Sequence, residues 1–140
     1  MGQMRSKVCP VCGRDRKGSW TCPRCKSLVE AHRRAIRNLQ SWHVSYMQGD
    51  VPDVVRQDDV EFCLWDLLTL YDARHFLAEQ QSLAIRLCLY ENLAESQVAT
   101  MMGISPRSPV SIYANVGLAR LLGMAYRGEI EGFRLELPAD

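Results

Sequence analysis

Residues 77–122, LAEQQSLAIRLCLYENLAESQVATMMGISPRSPVSIYANVGLARLL, decide how this chain folds. Leu83, Leu87 and Tyr90 fall on one face of a helix predicted over Leu77 to Tyr90. Asn92 then stands where a helix ends in the left-handed conformation. A second helix is expected from about Glu95 to Met102, stopped by Gly103 ahead of Ile104-Ser105. Ser108 reads as the cap of a third helix, with Pro109 at the first helical position, where a missing N–H costs nothing. Val98, Ala99 and Met102, followed by Gly103 and Ile104, have the spacing of a helix-turn-helix. The small Ala99 allows the two helices to approach, and Gly103 makes the turn.

Upstream, the chain also reads as helix. Ser27 to Glu30 matches a capping box. Leu28, Ala35, Leu39, Trp42 and Tyr46 then form one apolar stripe, opposite a face carrying Arg33, Arg34 and Arg37. That helix is expected to end near Gly49, and residues 50–57, with Pro52, read as a linker. A second capping box, Asp58 to Glu61, predicts a helix through Val60, Leu64, Leu67, Leu68 and Tyr71, acidic enough to pack against the basic one. Cys63 and Cys88 stand alone in apolar helical stretches and read as small buried hydrophobes. His32, His43 and His75 have no ligand spacing and read as surface or packing residues.

The first 25 residues are different. Cys9-Pro-Val-Cys12 and Cys22-Pro-Arg-Cys25 are separated by nine residues. Two residues between the cysteines of a pair let a tight turn aim both sulfurs at one ion. Two such knuckles facing each other complete a tetrahedron with bonds of about 2.3 Å. Gly13 supplies the positive φ that the first turn needs. Asp15 to Gly18 reads as a hairpin tip and Trp20-Thr21 as its returning strand. The expectation is one structural zinc ion held by Cys9, Cys12, Cys22 and Cys25. A redox pair or a disulfide frame competes with it, but a redox CxxC opens a helix after a strand and does not come in facing duplicates.

The net charge of +1 conceals a split. Residues 1–40 hold ten lysines and arginines against two acids, a net of +8; residues 41–140 hold seven against fourteen, a net of −7. A segment of this kind marks either a face that meets a polyanion or a solvated surface attracted to the acidic remainder. Segment 77–122 itself is neutral, with three arginines and three glutamates.

Leu77 to Leu122 resembles the region-four helix-turn-helix of bacterial sigma factors and related phage transcription regulators. The matching residues are Gln80, Leu83 and Leu87, then Gln97-Val98-Ala99, Met102-Gly103-Ile104-Ser105, Val110, Leu118 and Leu121. Pro106 to Pro109 is one residue longer than the usual spacing, Gly117 replaces the usual alanine, and Ala94 takes the place of a capping Ser or Thr. The resemblance implies a small transcription regulator whose third helix enters the major groove, with Arg107, Ser108, Ser111, Ile112 and Asn115 at base edges and Arg120 near phosphates. It also places Val110, Tyr113, Ala114, Leu118 and Leu121 in the core.

The fold class expected is therefore mainly α: a small N-terminal zinc ribbon, then a helical body with a C-terminal helix-turn-helix. The divisions are 1–26 for the ribbon, 27–57 for the basic helix and linker, 58–122 for the helical domain, and 123–140 for a tail. In that tail Met124 to Ile130 makes a further turn, and Phe133, Leu135 and Leu137 alternate. DNA is the expected partner, with RNA polymerase and RNA as further candidates. Arg14, Arg16, Lys17 and Arg24 of the ribbon are expected to join Arg33, Arg34 and Arg37 on one positive surface. The alternatives are a non-enzymatic adaptor gripping a protein through Ile112 and Val116, and an RNA-binding ribbon with Trp20 as stacking platform. No nucleophile with a partner base and no phosphate loop is present, and four thiolates leave zinc no open position, so no catalysis or small-molecule substrate is expected. The N-terminus has no apolar signal core and no stretch reaches the ~18 apolar residues of a membrane span, so a cytoplasmic location is expected.

Overall fold

A computed structural model describes residues 8–16, 21–49, 53–57 and 60–137. The chain is mainly α, with an N-terminal cysteine cluster ahead of a helical body. In order come α1 (Pro23–Met47), β1 (Val54–Gln57), β2 (Val60–Cys63), α2 (Leu64–Asp72), a 3-10 turn (Ala73–Phe76), α3 (Glu79–Ala84), a π-helix (Ile85–Tyr90), α4 (Glu95–Met101) and α5 (Val110–Tyr126).

Helix α1 is longer than its capping box suggested. It starts at Pro23, with Cys22 at the N-cap and no side-chain cap, while Ser27 lies exposed within the helix. Proline at the first helical position starts the helix because its φ is already helical and no N–H is lost. Cys25, Val29, His32, Ile36 and Leu39, spaced by three and four residues, form its buried stripe.

Where the linker and second capping box were expected, Val54–Gln57 and Val60–Cys63 pair as an antiparallel hairpin instead, while residues 50–52 and 58–59 lie outside the described residues. Val54 pairs with Cys63, Val55 with Phe62, Arg56 with Glu61 and Gln57 with Val60. Alternation explains this: Val55 and Phe62 point inward while Val54, Arg56 and Glu61 point out. Glu61 therefore serves no helix cap, and its carboxylate meets Arg56 across the strands at 3.3 Å. Helix α2 begins only at Leu64, so Cys63 sits half-buried in a strand rather than in a helix.

The predicted helix over 77–90 is α only from Glu79 to Ala84 and continues as a π-helix. The wider π turn brings the consecutive Leu87, Cys88 and Leu89 inward between α1 and α5. It closes on Asn92, whose φ of 56° is left-handed, with the Leu93 N–H bonded to the Leu87 carbonyl. Helix α4 ends on Gly103 at φ 75°, and the Ile104 N–H returns to the Ala99 carbonyl at 3.0 Å. Helix α5 starts at Val110, with Pro109 at the N-cap and no side-chain cap from Ser108.

Helix α5 is the centre of the molecule. Val110, Ala114, Gly117, Leu118, Ala119, Leu121, Leu122, Gly123 and Ala125 are all buried, and α1, α2, α3, α4 and the π-helix all touch it. Gly117 accommodates the crossing with α3, since a β-carbon there would lie 3.0 Å from the Gln81 Cβ. Beyond Tyr126 the chain turns back, burying Ile130 and Leu135, and the extended residues 133–137 tie on through the Leu135 N–H and the Ala125 carbonyl.

Candidate metal centre and basic surface

The first knuckle is a tight turn. The Gly13 N–H returns to the Cys9 carbonyl, Gly13 has φ 82°, and Val8 bridges Asp15 in antiparallel fashion. The second knuckle is the first turn of α1, where the Lys26 N–H bonds to the Cys22 carbonyl at 3.0 Å. A CxxC that opens a helix is the arrangement the sequence reading reserved for redox pairs. Here, however, it faces a second pair. The four sulfurs of Cys9, Cys12, Cys22 and Cys25 lie within 4.8 Å of one another, and Cys12 Sγ is 3.5 Å from Cys22 Sγ.

Four bonds of about 2.3 Å at tetrahedral angles put sulfurs about 3.8 Å apart. The cluster brackets that edge and is far wider than a disulfide bond of about 2.05 Å. The four cysteines could therefore hold one metal ion. The surroundings favour thiolate. Burial works against a charged Cys12, but the Arg14 backbone N–H, the Arg24 guanidinium and the neighbouring sulfurs outweigh it and bring the thiol down to about 6. Cys25 moves the other way, pushed up by burial and then by the sulfurs of Cys22 and Cys12. Only a cation placed among the four sulfurs lets all of them ionise together.

This cluster does not stand apart from the body. Cys9, Val11, Cys22 and Cys25 belong to the same buried core as Leu118, Leu121 and Leu122. The Pro10 carbonyl lies where a β-carbon on Gly123 would come within 2.0 Å. Sequence reasoning missed this docking. The only trace of it was a glycine inside the apolar end of a helix.

The basic residues separate into two groups. Arg14 and Arg24 lie with the cysteine cluster that docks at the Gly123 end of α5, and they flank an open hollow of about 490 Å³ beside Cys22 that no α5 residue lines. Arg16 is half-buried nearby, while Lys17 and Trp20 lie outside the described residues. Arg33 and Arg37 face the other end of α5. With Cys88, Leu89, Leu93, Glu95, Ser111, Ala114 and Asn115 they line a cleft of about 40 Å³. At 1.5 Å per residue, Gly123 and Ser111 are about 18 Å apart along the helix.

On α5 itself, Ile112 and Arg120 are exposed and Val116 is half-buried between them, giving an outward stripe. Arg107 is exposed in the turn before α5, and Ser108 is half-buried there. Ser111 and Asn115 lie on the flank toward α1. Arg120 donates to the Gln81 side-chain oxygen at 3.1 Å. Of the residues assigned to the helix-turn-helix core, Val98, Ala99, Val110, Ala114, Leu118 and Leu121 are buried and Tyr113 is half-buried.

These features define a class: a mainly α protein whose N-terminal four-cysteine cluster could bind a metal such as zinc and is docked on the end of its central helix. No protein family, curated protein or solved structure matches the chain. Among the described residues no helix is long and apolar enough to cross a membrane.

Proposed function

We propose that this chain is a zinc-binding transcription regulator that contacts duplex DNA through the N-terminal end of α5, and through that contact acts with RNA polymerase. The burial pattern of residues 95–122 carries this reading. Val98 and Ala99 of α4 are buried with Val110, Ala114 and Leu118 of α5, while Arg107, Ile112 and Arg120 stay outside, as a helix-turn-helix reader requires. Zinc is the metal favoured for the cluster, because four thiolates in a closed tetrahedron suit a soft ion with no open position. The metal is then structural, holding the first turn of α1 against the end of α5.

Fluorescence anisotropy with labelled promoter-sized duplexes, between 50 and 300 mM KCl, tests the DNA part. Binding that weakens steeply as salt rises is expected; no binding at low salt removes DNA from the reading. A second reading rests on the composition of the outward stripe. Ile112 is 55% exposed and Val116 lies beside it, so this face also suits a protein partner. Affinity capture with the whole chain separates the two: polymerase subunits support a transcription role, and an unrelated protein supports an adaptor.

A further inference from the structure

The cleft between α1 and α5 has a composition that core packing does not explain. Arg33 and Arg37, one turn apart on α1, meet Ser111 and Asn115, one turn apart on α5. Arg33 is half-buried, yet neither guanidinium has a hydrogen bond or ion pair among the described residues. The Asn115 Oδ1 is buried in the same place without a partner among the described residues. A partly desolvated guanidinium at Arg33 and a buried amide oxygen left unmatched are costly unless something meets them, while Arg37 stands exposed at the rim. Glu95 is the one acid in the lining, and its carboxylate is turned to the Ser111 N–H at 3.4 Å.

We propose that this cleft seats one phosphodiester of a duplex DNA backbone, with Arg33 and Arg37 as its charge partners and the Asn115 amide as a fixed hydrogen-bonding group. The inference rests on the DNA reading given above and adds the backbone contact that the neutral segment 77–122 lacks. Size and charge narrow the ligand. About 40 Å³ admits a few water-sized groups, hence the non-bridging oxygens of a phosphate but neither a base nor a planar cofactor. Two guanidiniums and one carboxylate leave the lining at +1, matched to the single charge of a diester rather than to a doubly charged terminal phosphate. The amide can turn over to present its N–H₂ group to an anion. Placement fits as well, because Ser111 and Asn115 flank the outward stripe of α5. A strand whose groove receives that stripe would pass its phosphates along α1.

Anisotropy with a labelled random-sequence 30-base-pair duplex tests this on the full-length, metal-loaded protein. Arg37→Gln and Arg33→Gln are each expected to weaken binding about three- to tenfold near 100 mM salt. Each should also reduce the slope of log K against log salt by about one. Arg37→Lys should keep the slope, since the charge remains. Glu95→Gln should tighten binding by a similar factor. Arg127→Gln, the same charge change at the far end of α5, should leave the slope alone. If the wild-type chain binds duplex with normal salt dependence and Arg33→Gln and Arg37→Gln do not change it, the seat is overturned while the DNA reading stands. If the wild type binds no duplex, that reading falls and takes the seat with it. A second arm follows the Asn115 side-chain amide by NMR during titration with dimethyl phosphate, a singly charged diester. A weak shift there that Arg37→Gln abolishes supports the seat. An equally strong shift with dimethyl phosphate and with chloride overturns it.

Discussion

At its C-terminal end, α5 lets a peptide carbonyl stand where a side chain would otherwise be; at its N-terminal end, the same helix leaves two guanidiniums of a neighbouring helix without partners among the described residues. The first end holds Gly123 against Pro10, next to four clustered thiols and inside the common core. The second presents Ser111 and Asn115 to Arg33 and Arg37 around a small cleft. Close backbone contact without spare volume is how a chain fixes one element on another. Unmatched polar groups around free volume are how it keeps a place for a ligand. The comparison shows that positive charge at the N-terminus of a sequence can serve two ends of one helix. Arg14 and Arg24 stay with the thiols, while α1 carries Arg33 and Arg37 about 14–20 Å onward to the open end.

The largest expected effect comes from the metal. A single site binding the folded chain alone contributes about 4 kcal/mol when the free ion is a thousand times its Kd. Chelation should therefore lower the melting temperature by ten degrees or more. The loss should be uneven. Amide exchange should accelerate in residues 8–26 and at 119–126, where the knuckle packs, and change little at 110–115. Uniform acceleration along α5 would mean that its two ends are not separate, and that the 58–122 helices do not outlast the thiol cluster.

A matched pair of substitutions tests the same contrast without touching the metal. Gly123→Ala gains about 1 kcal/mol of helix propensity, but its methyl would fall 2.0 Å from the Pro10 carbonyl, a backbone atom that cannot turn aside. Overpacking of that kind costs about 1–3 kcal/mol or more, so a net loss of about 2 kcal/mol is expected in chemical denaturation. Ile112→Ala, at an exposed position of the open end, should stay within about 0.5 kcal/mol of wild type. Equal effects at the two positions would remove the distinction between a closed and an open end.

How much of this was legible depends on whether the signal was local. The four cysteines, the turn at Gly103 and the left-handed Asn92 are set by neighbours within a few residues. Each of these was readable from spacing. Of the stripe expected on α1, by contrast, only Ala35 and Leu39 are fully buried, with Leu28, Trp42 and Tyr46 half-buried beside them. The hairpin was misread because Asp58 to Glu61 satisfies the capping-box pattern. What decided for strands was the packing of Val55 and Phe62, which lie against elements distant in sequence. The start of α1 was placed late because Ser27-to-Glu30 outranked Pro23, although the second knuckle needed that first turn. Two further features were out of reach: the contact of Pro10 with Gly123 and the meeting of Arg33 and Arg37 with Asn115. Both join residues some 80 to 110 positions apart, and a single sequence contains no term for such separations.

Between the two ends, α1 supplies the smallest and most specific test. His32, one residue before Arg33, turns away from the α5 cleft into a different groove, of about 340 Å³, with Phe62, Cys63 and Asp66. Its ring meets Phe62 edge-on at 4.9 Å, and since a carbonyl only accepts, its Nδ1–H donates to the Leu28 oxygen at 2.8 Å. Burial holds the imidazole down at about 4, against the opposing pull of the Leu28 bond. Below about pH 6.5 the unfolded chain takes up a proton that the folded chain refuses until about pH 4. The His32 contribution to stability is therefore constant above this window and falls as the pH drops through it. Between pH 7.5 and 5.5 the wild type should lose about 1 kcal/mol more than a chain without this imidazole, a difference that cancels the proton uptake by the thiols common to both. His32→Asn keeps a donor for the Leu28 carbonyl and removes the titration, so its stability should be lower but flatter over the same range. If the open end is independent of this groove, duplex affinity corrected for the folded fraction will not follow the His32 slope. A slope equal to that of the wild type in His32→Asn would place the proton on another group and detach α1's buried face from the pH response.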